Sequence, residues 1–125
     1  MALIKNWVEY LHDYKRRETG IVFKDFPVNC KSLCLEIGAG DGYEATLIKG
    51  YFGTLISTEY RKDCFKEKIK GIFYFRCNAE NLPFKDESFD FVFSSNVIEH
   101  IKDKGKCLSE IKRKKKKGGI AIHLV

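Results

Sequence analysis

From residue 32 onward, short apolar runs alternate with longer mixed stretches. The runs are Ser32–Ile37, Thr54–Thr58, Ile72–Phe75, Phe89–Ser94 and Ile120–Val125. Each is four to six residues long, and the first four end at a glycine, a charged residue or a polar cluster. Runs of that length, with few alternating polar positions, read as strands buried on both faces. The stretches between them carry helical patterns. Residues 43–51 place Ala45, Leu47 and Ile48 inward, and residues 62–70, 96–101 and 106 to about 116 also read as helical. A glycine pair, Gly118-Gly119, turns the chain into the last strand. Ahead of this unit, Leu3, Ile4, Trp7, Val8, Leu11 and Tyr14 recur at the spacing of one helical face. They predict a leading helix over about residues 2–17, stopped by Glu18-Thr19-Gly20. Residues 21–30 then form a connector containing Pro27 and Asn29.

Strands that alternate with helices predict a parallel sheet with helices on both faces. At 125 residues the chain is one domain. Within it, residues 1–20 supply the leading helix and residues 31–125 the core. No stretch approaches the ~18–20 apolar residues of a membrane span, so no membrane partner is expected. Charges close to the start (Lys5, Glu9, Asp13) argue against a signal peptide. Five cysteines without regular spacing do not make a secreted disulfide framework, and the expected setting is the reducing cytoplasm. Cys30 and Cys34 have no histidine or second cysteine pair in register, so no metal site is assigned.

Charge changes the picture in one place. The formal net charge is +6, but residues 102–117 hold nine basic groups against Asp103 and Glu110. The remainder is close to neutral, with 14 basic and 15 acidic residues. One short segment is cationic, and the surface as a whole is not.

The strongest chemical signal is Leu33-Cys-Leu-Glu-Ile-Gly-Ala-Gly-Asp-Gly42, a strand running into close-spaced glycines and then a helix. Glycine lets the backbone turn sharply and lets a ligand approach without a Cβ in the way. The turn falls at the carboxyl end of the first strand, where open α/β sheets bind ligands. Glu59 follows 17 residues after Gly42, at the end of the second strand. A carboxylate there can accept hydrogen bonds from both hydroxyls of a ribose. Dinucleotide enzymes favour G-x-G-x-x-G, and here Tyr43 occupies the third glycine position. The G-x-G-x-G pattern tilts away from a nicotinamide dinucleotide.

Leu35-Glu-Ile-Gly-Ala-Gly-Asp-Gly42 resembles motif I of the class I S-adenosylmethionine-dependent methyltransferases. Asn78-Ala-Glu-Asn-Leu-Pro-Phe84, then Glu87-Ser-Phe-Asp-Phe-Val-Phe-Ser-Ser95 and Val97-Ile-Glu-His-Ile101, resemble the type 11, ubiquinone-biosynthesis-like branch. Lys117-Gly-Gly-Ile120 is similar to that branch's turn into the fifth strand. The resemblance covers about residues 31–125. It implies a Rossmann-like sheet of order 3-2-1-4-5 that ends at the fifth of the family's seven strands. It also implies an enzyme that transfers a methyl group from S-adenosylmethionine to a small-molecule acceptor.

The same resemblance implies the site. Gly38, Ala39, Gly40 and Gly42 would pass under the methionine part of the cofactor, and Glu36 would contact its amino end. Glu59 would bind the ribose, and Tyr60 would pack on the adenine. Asn78, where the family usually has Asp, and Ala79 would lie at the adenine's edge and face. Ser94, with Ser95 and Asn96, would line the boundary between cofactor and acceptor, unless these residues cap a helix. His100 is the candidate general base, needed only if the acceptor must lose a proton. His12 and His123 belong to no motif.

Two features depart from the family. Lys114-Lys-Lys-Lys117 stands where an apolar stretch and a proline are usual. Four successive lysines cannot all point outward, so at least one must lay its stem on apolar surface. An unpaired fifth strand is expected to attract a second copy or a partner chain. The alternative reading is a truncated, non-catalytic module that binds RNA or another polyanion through the lysines.

Overall fold

The computed structural model describes residues 2–62, 64, 65 and 68–125, the side chains of residues 2–8 excepted. Five parallel strands form one sheet: β1 (Asn29–Ile37), β2 (Phe52–Glu59), β3 (Ile72–Arg76), β4 (Phe89–Ser95) and β5 (Lys115–Leu124). They are parallel, as the strand–helix alternation predicts, and their order is β3-β2-β1-β4-β5, as the family resemblance implies. The chain reverses its direction of travel across the sheet between β1 and β4. That places a crevice at the carboxyl ends of β1 and β4, the switch point of an open α/β sheet.

The alternation of side chains along the central strands sorts the core into two layers. On one face Cys34, Leu55, Phe91 and Phe93 pack with Ala45 and Ile48 of α2 (Tyr43–Ile48) and with Phe23 of α1 (Ala2–Phe23). On the other, Leu35, Ile37 and Val92 pack with Leu82 and with Cys107 and Ile111 of α3 (Lys104–Lys114). Phe23 is almost fully buried, with Phe26, Tyr51, Phe52, Phe91 and Phe93 around its ring at centroid distances of 4.9–6.2 Å. Such edge-on and tilted contacts add to the burial of each ring.

The leading helix differs from the expectation in length and in the face it buries. It runs to Phe23, straight through Glu18-Thr19-Gly20. Among its described side chains Thr19 and Phe23 are buried, with His12, Lys15, Glu18 and Val22 half-buried on the same side. In the described part of the apolar stripe, Leu11 and Tyr14 are exposed, and the side chains of Leu3, Ile4, Trp7 and Val8 lie outside the described residues. The periodicity was that of a helix, but packing of Phe23 against the sheet fixes a different face inward.

Between β2 and β3 no helix forms among the described residues. Lys62, Cys64, Phe65, Lys68 and Ile69 are irregular, and Phe65 has a φ of 56°. The expected helix also fell on residues 63, 66 and 67, which lie outside the described residues. The segment 96–101 contracts to a single 3-10 turn, Ile98–His100, preceded by Asn96 with a φ of 56°.

The lysine tract belongs to β5 and not to the end of a helix. α3 stops at Lys114, and Lys115–Lys117 are extended. Lys114 is buried at 5% exposure, and its ammonium meets Asp86 at 3.0 Å. It is the lysine that covers apolar surface with its stem. Lys115 donates to the Gly119 carbonyl at 3.0 Å, and Lys116 meets Asp90 at 3.2 Å. Gly118, at φ +77°, lies where the register of β5 against β4 shifts between Phe89 and Phe91. A left-handed residue there forms the bulge without Cβ strain.

β5 pairs with β4 alone, and no described strand lies beyond it. Ile120, Ala121 and Val125 are exposed along it, as are Lys116 and Lys117. Unpaired donors and acceptors on such an edge favour association, which like charge opposes over the Debye length. Self-association of this chain should therefore increase between about 0.1 M and about 1 M salt, as screening shortens from ~10 to ~3 Å. Sedimentation at the two salt concentrations checks it, and a monodisperse monomer at both would remove the edge as a contact.

Candidate functional site

The turn after β1 is held from both sides. The Ala39 N–H donates to the Thr58 carbonyl at 2.8 Å, and the Gly42 N–H to the Ala39 carbonyl at 3.0 Å. Gly38 (φ +71°), Gly40 (φ +60°) and Gly42 (φ +93°) all lie in the left-handed region. At Gly38 a Cβ would stand 2.2 Å from a Val97 methyl, so conformation and space both require glycine. At Gly40 the space is open, with Arg61 Nη2 as the nearest atom, 3.7 Å from a would-be Cβ.

Glu59 ties this turn to β2. Its Oε1 accepts the Gly40 N–H at 2.9 Å, and its Oε2 accepts the N–H groups of Tyr60 (2.8 Å) and Arg61 (3.0 Å). The Arg61 guanidinium sits 3.6 Å from the same carboxylate. A carboxylate has about four lone-pair sites, so Glu59 retains capacity for further donors.

A cleft of about 780 Å³ opens over the carboxyl edge of the sheet. Gly38, Gly40, Glu59, Tyr60, Asn78, Ala79 and His100 line it, and all seven were singled out from the sequence. Ser95 and Asn96 line it as well. Glu36, Ala39 and Gly42 are buried immediately behind the turn and do not line the cleft. Ser94 corrects an expectation. It is fully buried, on the opposite face of β4 from Ser95, and bonds His123 Nδ1 at 2.6 Å. Nor do Ser94, Ser95 and Asn96 cap a helix, since the following 3-10 turn has no side-chain cap. Asn78 Oδ1 accepts the Glu80 N–H at 2.9 Å, which directs the carbonyl into its own turn. The side-chain amide, rather than the carbonyl, is left for a ligand.

Sequence reasoning missed Lys15, Arg61, Cys77, Glu80 and Lys102, which also line the cleft. Arg61 directly follows Glu59-Tyr60 and was legible by adjacency. Lys15 carried no signal, because only the docking of α1 on α2 brings it there. The contacts are specific: His12 stacks on Tyr43 at 3.8 Å and meets Asp41 at 3.5 Å, and Lys15 Nζ lies 3.6 Å from Glu44 Oε1.

The acids behind the turn are strongly perturbed. Glu36 is 3% exposed and accepts a hydrogen bond from Ser57 Oγ at 2.8 Å. Burial pushes its pKa up to about 8, against the lowering effect of Ser57 and with help from the neighbouring charge of Glu44. Burial raises Glu44 too, opposed by Lys15 and by a hydrogen bond with Ser95. Its Oε2 is buried without a partner. Burial thus raises the proton affinity of two carboxyl groups that lie close to the cleft.

These shifts fix a pH dependence. Between about pH 4.5 and about 8 the folded chain keeps a proton on Glu36 that the unfolded chain has released. Stability from Glu36 is thus full below pH 4.5, falls as pH rises, and levels off near pH 8. Glu36→Gln keeps an oxygen for Ser57 and cannot ionise. Its urea midpoint should decline less than that of the parent chain across this window, and parallel declines would contradict the burial account.

The chain was compared with known proteins. A methyltransferase-domain family profile matches residues 35–123. A protein of Methanocaldococcus jannaschii without an assigned function is 41% identical over 88 residues, spanning 70% of this chain and 42% of its own length. The ubiquinone/menaquinone biosynthesis C-methyltransferase of Xanthomonas oryzae is 45% identical over 53 residues, or 42% of this chain and 21% of that one. The chain thus spans less than half the length of these curated relatives. Among solved structures, Haemonchus contortus phosphoethanolamine N-methyltransferase 2 in complex with S-adenosyl-L-methionine superposes with a TM-score of 0.75 at 30% identity, covering 86% of this chain and 27% of that one. The glycine turn, the strand order and the matched span agree: the chain belongs to the methyltransferase-domain family, in its type 11 branch.

Proposed function

We propose that this chain binds S-adenosylmethionine and forms the cofactor-binding core of an enzyme that methylates a small molecule. The observation that carries the reading is the joint between Glu59 and the glycine turn. An acid at the end of β2 shares a hydrogen bond with the Gly40 N–H and faces an open cleft. That arrangement suits a nucleoside whose ribose diol meets Glu59 while its tail crosses the glycines.

The residues fit such a ligand along the sheet edge. Tyr60 offers an exposed aromatic face, and Ala79 and the Asn78 amide stand at the neighbouring loop. Glu36 is buried beneath Gly38 and Gly40, where an ammonium would favour its ionised form. A bound sulfonium supplies an electrophilic methyl group. The chain's part is to hold an acceptor in line with it, which can lower the barrier by several kcal/mol through orientation alone. His100 lies at the cleft on the turn after β4 and is the group able to take a proton from an acceptor that has one to lose.

The polyanion reading loses support. Lys114, Lys115 and Lys116 are engaged by Asp86, the Gly119 carbonyl and Asp90. Five free cysteine thiols favour a reducing, cytoplasmic setting. Among the described residues no helix is long and apolar enough to cross a membrane.

Calorimetric titration with S-adenosylhomocysteine tests the cofactor assignment. Replacing Glu59 by Ala should weaken binding roughly 10- to 150-fold, corresponding to ~1.5–3 kcal/mol for hydrogen bonds to a charged acceptor. Unchanged affinity in a folded variant would remove Glu59 from the site. His100→Ala should leave that affinity within about twofold while lowering turnover ~10²-fold or more on an acceptor that must be deprotonated. Normal turnover on such an acceptor would dismiss His100 as the base.

A further inference from the structure

Lys15 is a cleft residue that the family pattern does not supply. It sits on α1, which ends at Phe23, whereas the family match begins at residue 35. Its ammonium is 3.6 Å from Glu44 Oε1, beyond a normal hydrogen bond, and its side chain is 27% exposed toward the cleft it lines. Glu44 is buried to 5% exposure, and its second oxygen has no partner. Lys15 thus holds Glu44 at ion-pair distance without a close hydrogen bond, lines the cleft, and is positioned to exchange its partner.

The location decides what the new partner is. Ser95, at the end of β4, lines the cleft together with Gly38 and Gly40 of the glycine turn. The other cations of the cleft lie elsewhere: Arg61 is engaged by Glu59 at the end of β2, and Lys102 follows the 3-10 turn. If the cofactor lies as proposed above, its amino-acid end crosses this turn carrying one ammonium and one carboxylate. A carboxylate entering a half-buried cleft needs a cationic donor of its own.

We propose that Lys15 receives the carboxylate of the bound ligand's amino-acid end and gives up its ion pair with Glu44 to do so. The inference rests on the cofactor reading. It makes α1 a wall of the binding site, held over the glycine turn by the His12 contacts with Asp41 and Tyr43.

The test uses the 125-residue chain and two probes, S-adenosylhomocysteine and methylthioadenosine, which lacks the amino-acid end. Lys15→Met should weaken S-adenosylhomocysteine about tenfold or more and leave methylthioadenosine within about twofold. Glu44→Gln, which releases Lys15 from its competitor, should bind S-adenosylhomocysteine at least as tightly as the parent chain. Equal affinity of Lys15→Met and parent for S-adenosylhomocysteine would overturn the inference alone. Parallel loss of both probes in Lys15→Met would assign the lysine to the packing of α1 instead. Failure of the parent chain to bind either probe would overturn the cofactor reading and this inference together.

Discussion

The site depends on one close approach, that of the Gly38 backbone to Val97. There is no room for a Cβ between them. This contact lets the loop after β4 close over the turn after β1. Both strands can then present their carboxyl ends to one cleft. The left-handed φ at Gly38, Gly40 and Gly42 turns the chain back within five residues, so that α2 starts directly behind the turn. Glu59 then fixes the turn from the neighbouring strand through the Gly40 N–H. A side chain at residue 38 would force apart the two loops that define the cleft, while the two apolar layers below could remain intact.

Behind this joint the protein tolerates an unusual concentration of acid. Glu36 and Glu44 are both buried, burial raises the proton affinity of each, and the charge of Glu44 adds to the rise at Glu36. A fold selected for stability alone would place apolar groups there. The cost is accepted at the edge of a ligand cleft, which is where perturbed carboxyl groups tend to gather. Lys15 offsets part of it from a helix outside the sheet.

The sheet was legible because its central strands β1, β2 and β4 are apolar runs largely buried at their carboxyl ends and stop at a glycine, a charge or a polar pair. Strand order came from the resemblance carried by motif I and by the segments from Asn78 to Ile101. What was not legible depends on packing between distant segments. The apolar stripe of α1 reads as its buried face, yet Phe23 in the aromatic cluster leaves Leu11 and Tyr14 of that stripe outward. Lysines 115–117 read as a helix end, but Asp86 and Asp90 draw Lys114 and Lys116 toward β4 and the chain extends. Ser94 and Ser95 are adjacent, and only the pleat separates one against His123 from the other at the cleft. The nine cleft residues named in advance, Ser95 and Asn96 included, all sit in motifs or next to strand ends, whereas Lys15 does neither.

The bond between Asn96 and Leu124 has a mechanical meaning. Asn96 adopts a left-handed conformation at the mouth of the cleft, and its N–H donates to the Leu124 carbonyl at 2.7 Å. Ser94 and His123 lock the same two strands one step earlier. The segment that walls the cleft is therefore suspended from the far end of the edge strand. α1 leans on the glycine turn and α2 through His12 and Lys15. The rim of one opening is thus tied at once to a helix near the start of the chain and to the edge strand near residue 124.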